Sequence, residues 1–111
     1  MLSRPHDFTR LRETGHGRAH RLLVGRFART DLETTRVGLA TGRRLGGAVV
    51  RNRVRRRLRE ALRATAPSFQ PGWDVLIVAR PAIVTADYDE VVAALRRVLQ
   101  QGGVLGGLSD T

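Results

Sequence analysis

Six arginines and one asparagine crowd into thirteen residues of this chain. The stretch "AVVRNRVRRRLRE" (48–60) holds Arg51, Arg53, Arg55, Arg56, Arg57 and Arg59 beside Asn52, with Glu60 as its single acid. Guanidinium groups suit one chemistry above others: each planar fork presents paired N–H donors that match phosphate oxygens, stays charged at any physiological pH, and stacks on nucleobases. A helix through this segment gathers Val50, Val54, Leu58, Ala61, Leu62 and Thr65 in an arc of roughly 120°, the width of a core-facing stripe. Arg51, Arg55, Arg59 and Arg63 then follow one border of the stripe at i, i+4 spacing. Asn52 and Arg56 sit just outside that row, and Arg53 and Arg57 lie on the far side. Like charges at this spacing destabilise a helix by about 0.2–0.5 kcal/mol per pair, and asparagine is a poor helix former. Folding gains nothing from either. A solvated face would normally be laced with acids; this one nearly lacks them, so an anionic partner accounts for the pattern better. The preceding "GRRLGG" (42–47) brings Arg43 and Arg44 to the helix N-terminus, where the dipole and free N–H groups already favour anions.

The rest of the chain shares the bias. Its 111 residues include 20 arginines, no lysine and 10 acids, for a net charge of +10. Such an imbalance is silent about fold but points to nucleic acid as partner. Charge alone leaves duplex DNA and RNA both open: a helix enters the DNA major groove, whereas A-form RNA is gripped by backbone and shape. The absence of cysteine excludes disulfides and thiolate metal sites. The longest apolar stretch, "VLIVA" (75–79), is far too short to span a bilayer, and the N-terminus is charged where a signal peptide needs an apolar run. A soluble, cytoplasmic protein with no membrane partner is expected. His6, His16 and His20 lack the spacing of a metal site or triad. Asp87, Asp89 and Glu90 open a helix, where they complement its dipole rather than gather a cation. No paired carboxylates and no nucleophile with a base stand out, so the protein is expected to hold no catalytic or metal-binding residue of its own.

The elements that would position the arginines can be read from the same sequence. Residues 3–13 suit a short helix, with Ser3 as cap, Pro5 in the first turn and Gly15 beyond its end. Segments 20–28 and 36–41 read as strands, and the first could itself begin an antiparallel pair. A helix over about 48–64 ends before Pro67, "PGWDVLIVAR" (71–80) gives a turn and a buried strand, and 85–101 forms an amphipathic helix. Phe8, Leu11 and Trp73 read as packing residues. One domain over 1–101 is expected, with 102–111 a loose tail. The result is an α/β two-layer sandwich: one sheet of roughly four strands with helices packed on it, including a βαβ unit from 36 to 80.

The run "RVGLATGRRLGGAVVRNRVRRRLRE" (36–60) resembles the signature region of the protein subunit of bacterial ribonuclease P. Arg51, Asn52 and Arg53 match its central triplet, and Arg55, Arg56, Arg59 and Glu60 fit the pattern that follows. The resemblance extends to "HDF" near the N-terminus, to "DVLIVAR" and to the last helix. It implies a mixed sheet in the order α-β-β-β-α-β-α, with a left-handed βαβ crossover against the usual preference, a fold shared with a domain of a small-subunit ribosomal protein. It also implies a function. Members of the family assist a catalytic RNA that removes the 5′ leader of precursor tRNA and leaves a 5′-phosphate on the mature end, with Mg²⁺ held mainly by the RNA subunit and substrate. Carried onto this sequence, Arg43, Arg44, Arg51, Asn52, Arg53, Arg55, Arg56 and Arg59 would face ribonuclease P RNA, and Phe8, Arg12, Arg26 and Phe27 the leader of precursor tRNA; DNA is not an expected partner. There are departures. Arg12 stands where a second aromatic is common, Arg26 beside Phe27 where the first long strand often has an aromatic, and Gly42, Arg43 and Gly47 where the turn usually has Ser, Lys and Asn. Arginine planes also stack on bases, so the leader face would keep a related chemistry. The rival readings are a structural RNA-binding protein of ribosomal type with no part in cleavage, and a DNA-binding regulator.

Overall fold

In the computed structural model, Leu11 and residues 15–105 are described. Most of the expected first helix, including Phe8 and Arg12, therefore lies outside the described residues. Four strands form one mixed sheet: β1 (His16–Ala19), β2 (Leu23–Arg29), β3 (Arg36–Ala40) and β4 (Trp73–Ala79), in the spatial order β1-β2-β4-β3. Helix α1 (Ala48–Thr65) joins β3 to β4, and helix α2 (Tyr88–Gly102) follows β4. β3 pairs with β4 in parallel, so β3, α1 and β4 make the expected βαβ unit, and both other pairings are antiparallel. The central strand β4 is buried along nearly its whole length, which is why "VLIVA" reads as an unbroken apolar run rather than an alternation.

The segment 20–28, read as a strand that could begin an antiparallel pair, holds the turn and most of the second strand of a hairpin. His20 N–H donates to Leu23 O at 2.8 Å, and Leu22 N–H donates to His20 Nδ1 at 3.0 Å. This tight turn buries Leu22 and lets β1 pair from His16 opposite Phe27 to Ala19 opposite Val24. At the other end of the chain, α2 starts at Tyr88 because Asp87 and Glu90 close a capping box, with Glu90 N–H donating to Asp87 Oδ1 at 2.8 Å and Asp87 N–H to Glu90 Oε1 at 3.0 Å. These acids thus serve the helix start.

Both helices pack on one face of the sheet. Leu23, Phe27, Val37, Val75 and Ile77 from the strands meet Val54, Leu58 and Leu62 of α1 and Val91, Leu95, Val98 and Leu99 of α2. The core continues past α2, which corrects the expectation of a loose tail from 102. Gly103 adopts a left-handed φ of 96°, and its turn delivers Val104 (0% exposed) and Leu105 (5%) into the core. Gln70 N–H then donates to Val104 O at 2.7 Å, and Leu105 bridges Phe69. Residues 106–111 lie outside the described residues. The opposite face of the sheet holds a smaller cluster of Leu11, Ala28 and Leu76, with Ala40 and Val78 half-buried against it. No helix among the described residues is long and apolar enough to cross a membrane.

Candidate nucleic-acid interface

The basic ridge begins where β3 ends. After Thr41 the chain makes a 3-10 turn over Arg43–Leu45 whose Leu45 is buried, so Arg43 and Arg44 are left exposed around an apolar anchor. Gly46 then takes φ 131°, a conformation reserved for glycine, and swings the chain into α1. The helix starts at Gly47 with no side-chain cap and no acid in its first turn. Its positive end is therefore presented to whatever anion approaches.

Along α1, Val54, Leu58, Ala61, Leu62 and Thr65 are buried as the periodicity requires. Asn52, Arg53, Arg56 and Arg59 are exposed, and Arg51 and Arg55 are half-buried at the margin. Arg55 Nη2 donates to the buried Thr41 Oγ1 at 2.6 Å, which fixes its guanidinium beside the end of β3. Arg57 points the other way, donating from Nη1 to Ala86 O at 3.1 Å, and ties α1 to the loop before α2. Arg51 Nε is buried without a hydrogen-bond partner among the described residues. Glu60 makes no ion pair among the described residues, and no other described acid pairs with an arginine of the ridge. Val49 is 81% exposed and shares the helix face of Asn52, Arg53 and Arg56. Its i, i+3, i+4 relation to them was present in the sequence, but an apolar residue did not fit a search for charge.

An uncompensated ridge on a +10 chain should respond to anions that bind the folded state. At sulfate concentrations ten times the dissociation constant, the melting temperature is expected to rise by about 5 °C relative to chloride at equal ionic strength. A thermal melt checks this, and equal values would count against an anion site on the ridge.

The second expected surface divides. Consecutive residues of a strand point to opposite faces, and Arg26 and Phe27 are consecutive. Arg26 is on the face without α1 and α2, where its Nη2 donates to Gly15 O at 2.9 Å and Leu11 O at 3.2 Å. It grips the backbone where the first helix was expected to end. Phe27 is on the helix face and is 0% exposed. Its ring stacks with His16 at 5.5 Å and meets the edge of Trp73 at 6.4 Å. Phe27 is thus a core residue and no leader nucleotide can reach it, which corrects its expected role. Trp73 packs as expected, with the Arg29 guanidinium 4.8 Å from its ring centre.

The sequence profile of the family Ribonuclease P matches residues 1–102. The chain is 39% identical over 112 residues to the ribonuclease P protein component of Roseiflexus castenholzii, covering 99% of this chain and 92% of that protein. Against the ribonuclease P protein component of Chloroflexus aggregans the identity is 41% over 105 residues, covering 94% and 78%. The fold is similar to that of the Staphylococcus aureus RNase P protein, with a TM-score of 0.86 over 95% of this chain and 96% of that one, at 24% identity. The profile match across almost the whole chain, the relatives matched over most of their length, and a sheet and two helices that superpose on a solved member agree: the chain belongs to the ribonuclease P protein-component family.

Proposed function

We propose that this chain binds the catalytic RNA of ribonuclease P through the ridge of Arg43, Arg44, Arg51, Asn52, Arg53, Arg55, Arg56 and Arg59, and so assists removal of the 5′ leader from precursor tRNA in the cytoplasm. Ribonuclease P is an endoribonuclease, and the family supplies its protein subunit. One observation carries the RNA contact: a helix whose exposed guanidiniums meet no acid among the described residues, continued at its N-terminus by two more on a glycine-flanked turn. In this reading Mg²⁺ stays mainly with the RNA subunit and substrate. The protein's part is to neutralise phosphate repulsion, so that the folded RNA and its substrate come together at lower Mg²⁺. The face of the sheet opposite α1 and α2 is the leader side of the proposal. Arg26 is there, and Phe8 and Arg12, outside the described residues, belong to the same expectation.

The test is cleavage of precursor tRNA by the cognate RNA at low Mg²⁺, with and without the protein. Stimulation by the protein is expected, and cleavage unchanged by it would leave a structural RNA binder. Arg53→Ala removes one exposed guanidinium from the centre of the ridge. It is expected to weaken binding of the RNA subunit and to lower the slope of log affinity against log salt by about one ion. Unchanged affinity and slope would remove Arg53 from the interface, and preference for duplex DNA over the RNA would favour a DNA-binding regulator.

A further inference from the structure

The ridge does not stop at Arg59. Arg59 and Arg63 form one rim of a bay with a volume near 560 Å³, whose other lining residues are Val37, Leu62, Ala66, Phe69 and Thr35. That volume falls within the range of about 300–1,000 Å³ found for small-molecule sites. Topology explains the bay. β3 is an edge strand, and α1 ends at Thr65 in a 3-10 turn over Ala66–Ser68, so no described element covers the gap between the strand and the last turn of the helix.

The bay is continuous with its surroundings. It shares Arg59 and Arg63 with the groove lined by Asn52, Arg55, Arg56 and Glu60 on the ridge. On its other side it shares Thr35, Ala66 and Phe69 with a shallower depression reaching Gln70 and Pro71. An apolar floor under two guanidiniums is a particular combination. A purely apolar partner would strip water from Arg59 and Arg63 and give them no counter-charge. An acidic partner alone would leave Ala66 and Phe69 uncovered. A nucleotide meets both demands, with a flat base of apolar faces and an anionic phosphate on the sugar that carries it.

We infer that the bay takes one unstacked nucleotide of the RNA subunit. Its base lies against Leu62, Ala66 and Phe69, and its phosphate lies between Arg59 and Arg63. A base inside a duplex cannot reach this floor, so the occupant is an extruded or single-stranded position. The inference rests on the RNA-binding reading of the ridge and gives it a fixed end: guanidiniums alone would let the RNA backbone slide along α1, and an inserted base sets the register.

Ala66 is exposed just past the end of α1, so Ala66→Trp fills the bay from the surface and removes no cation. Its affinity for the transcript of the cognate RNA subunit is expected to fall about tenfold with an unchanged salt slope, the loss of one stacked base. Arg53→Ala, by contrast, lowers the slope. If the wild type binds the transcript, Arg53→Ala weakens it and Ala66→Trp binds as the wild type does, the bay is overturned while the ridge stands; if the wild type does not bind, the ridge itself fails. A second variant guards against misfolding of the tryptophan protein. The chain has no cysteine, so Ala66→Cys carries a unique benzophenone. Photocrosslinking to one unpaired nucleotide of the transcript is expected. Crosslinks scattered along duplex segments, to residues 106–111 of the same chain, or to a second copy would overturn the inference.

Discussion

Phe27→Ala is expected to lower the folding stability of this protein by about 3–5 kcal/mol, the range for removing a buried aromatic ring. The ring is fully buried and its seat is made by two glycines. A Cβ at Gly102 would lie 2.5 Å from the ring atoms, and one at Gly25 would lie 2.7 Å from them. The helix and the strand beside the ring can approach it so closely only because neither carries a side chain there. After truncation, backbone on both sides limits how far the site can collapse, which places the loss at the upper end. A small domain has a stability of about 5–15 kcal/mol, so the variant should unfold at much lower urea, and Phe27→Leu should restore part of the difference. Urea unfolding followed by circular dichroism makes the measurement. If Phe27→Ala instead melted like the wild type and lost only its discrimination among leaders, Phe27 would be a leader contact after all and its burial would be irrelevant to function.

That a core residue stood among the expected leader contacts shows where sequence reasoning thins out. Alternation along β2 says that Arg26 and Phe27 face opposite ways, but only the packing of α1 and α2 decides which face is covered. The resemblance implied a third strand before α1, but the pattern did not place β1 for a related reason: "HGRA" is largely exposed and carries no apolar alternation. Its strand character comes from pairing with β2. The residues "QGGVL" resembled a loose end because they combine glycines with little periodicity, yet Gly103 uses that freedom to turn Val104 and Leu105 inward.

By contrast α1 was legible almost to the residue, since a stripe at helical spacing and an arginine border constrain each other. The basic ridge was legible for the same reason, because surface charge answers to a partner and needs no tertiary information. The targets of Arg55 and Arg57 were not. Thr41 and Ala86 flank α1 only once the sheet and α2 are in place. The bay beside Arg59 belongs with them: its walls come from β3, the end of α1 and the following turn, and no local pattern announces a gap between three elements.

The strongest asymmetry is expected at the ion pair between β3 and β4. Arg36 donates from Nε to Asp74 Oδ1 at 2.9 Å and from Nη2 to Oδ2 at 2.7 Å, a bidentate fork across register partners. Asp74 is 0% exposed, whereas the Arg36 side chain is 34% exposed. The two partners therefore differ in how far water can take the other's place. Asp74→Leu leaves a guanidinium that can turn to water, and a loss near 1 kcal/mol is expected, as for a pair with one solvated member. Arg36→Met removes the bidentate guanidinium from a buried carboxylate, and a loss of about 2 kcal/mol, larger than that of Asp74→Leu, is expected. The double variant Arg36→Met/Asp74→Leu removes both charges and should recover part of that loss, because an apolar pair of similar volume avoids the desolvation that the ions incur. Urea unfolding of the four proteins closes the cycle, and equal losses from the two single variants would mean that the carboxylate is held as well without Arg36 as with it. The consequence extends to RNA. β3 is an edge strand whose one neighbour among the described strands is β4, and Thr35, Val37 and the Thr41 that fixes Arg55 lie on it or beside it. Loosening β3 in Arg36→Met should therefore weaken RNA binding even where the protein remains folded, and the double variant should restore affinity together with stability.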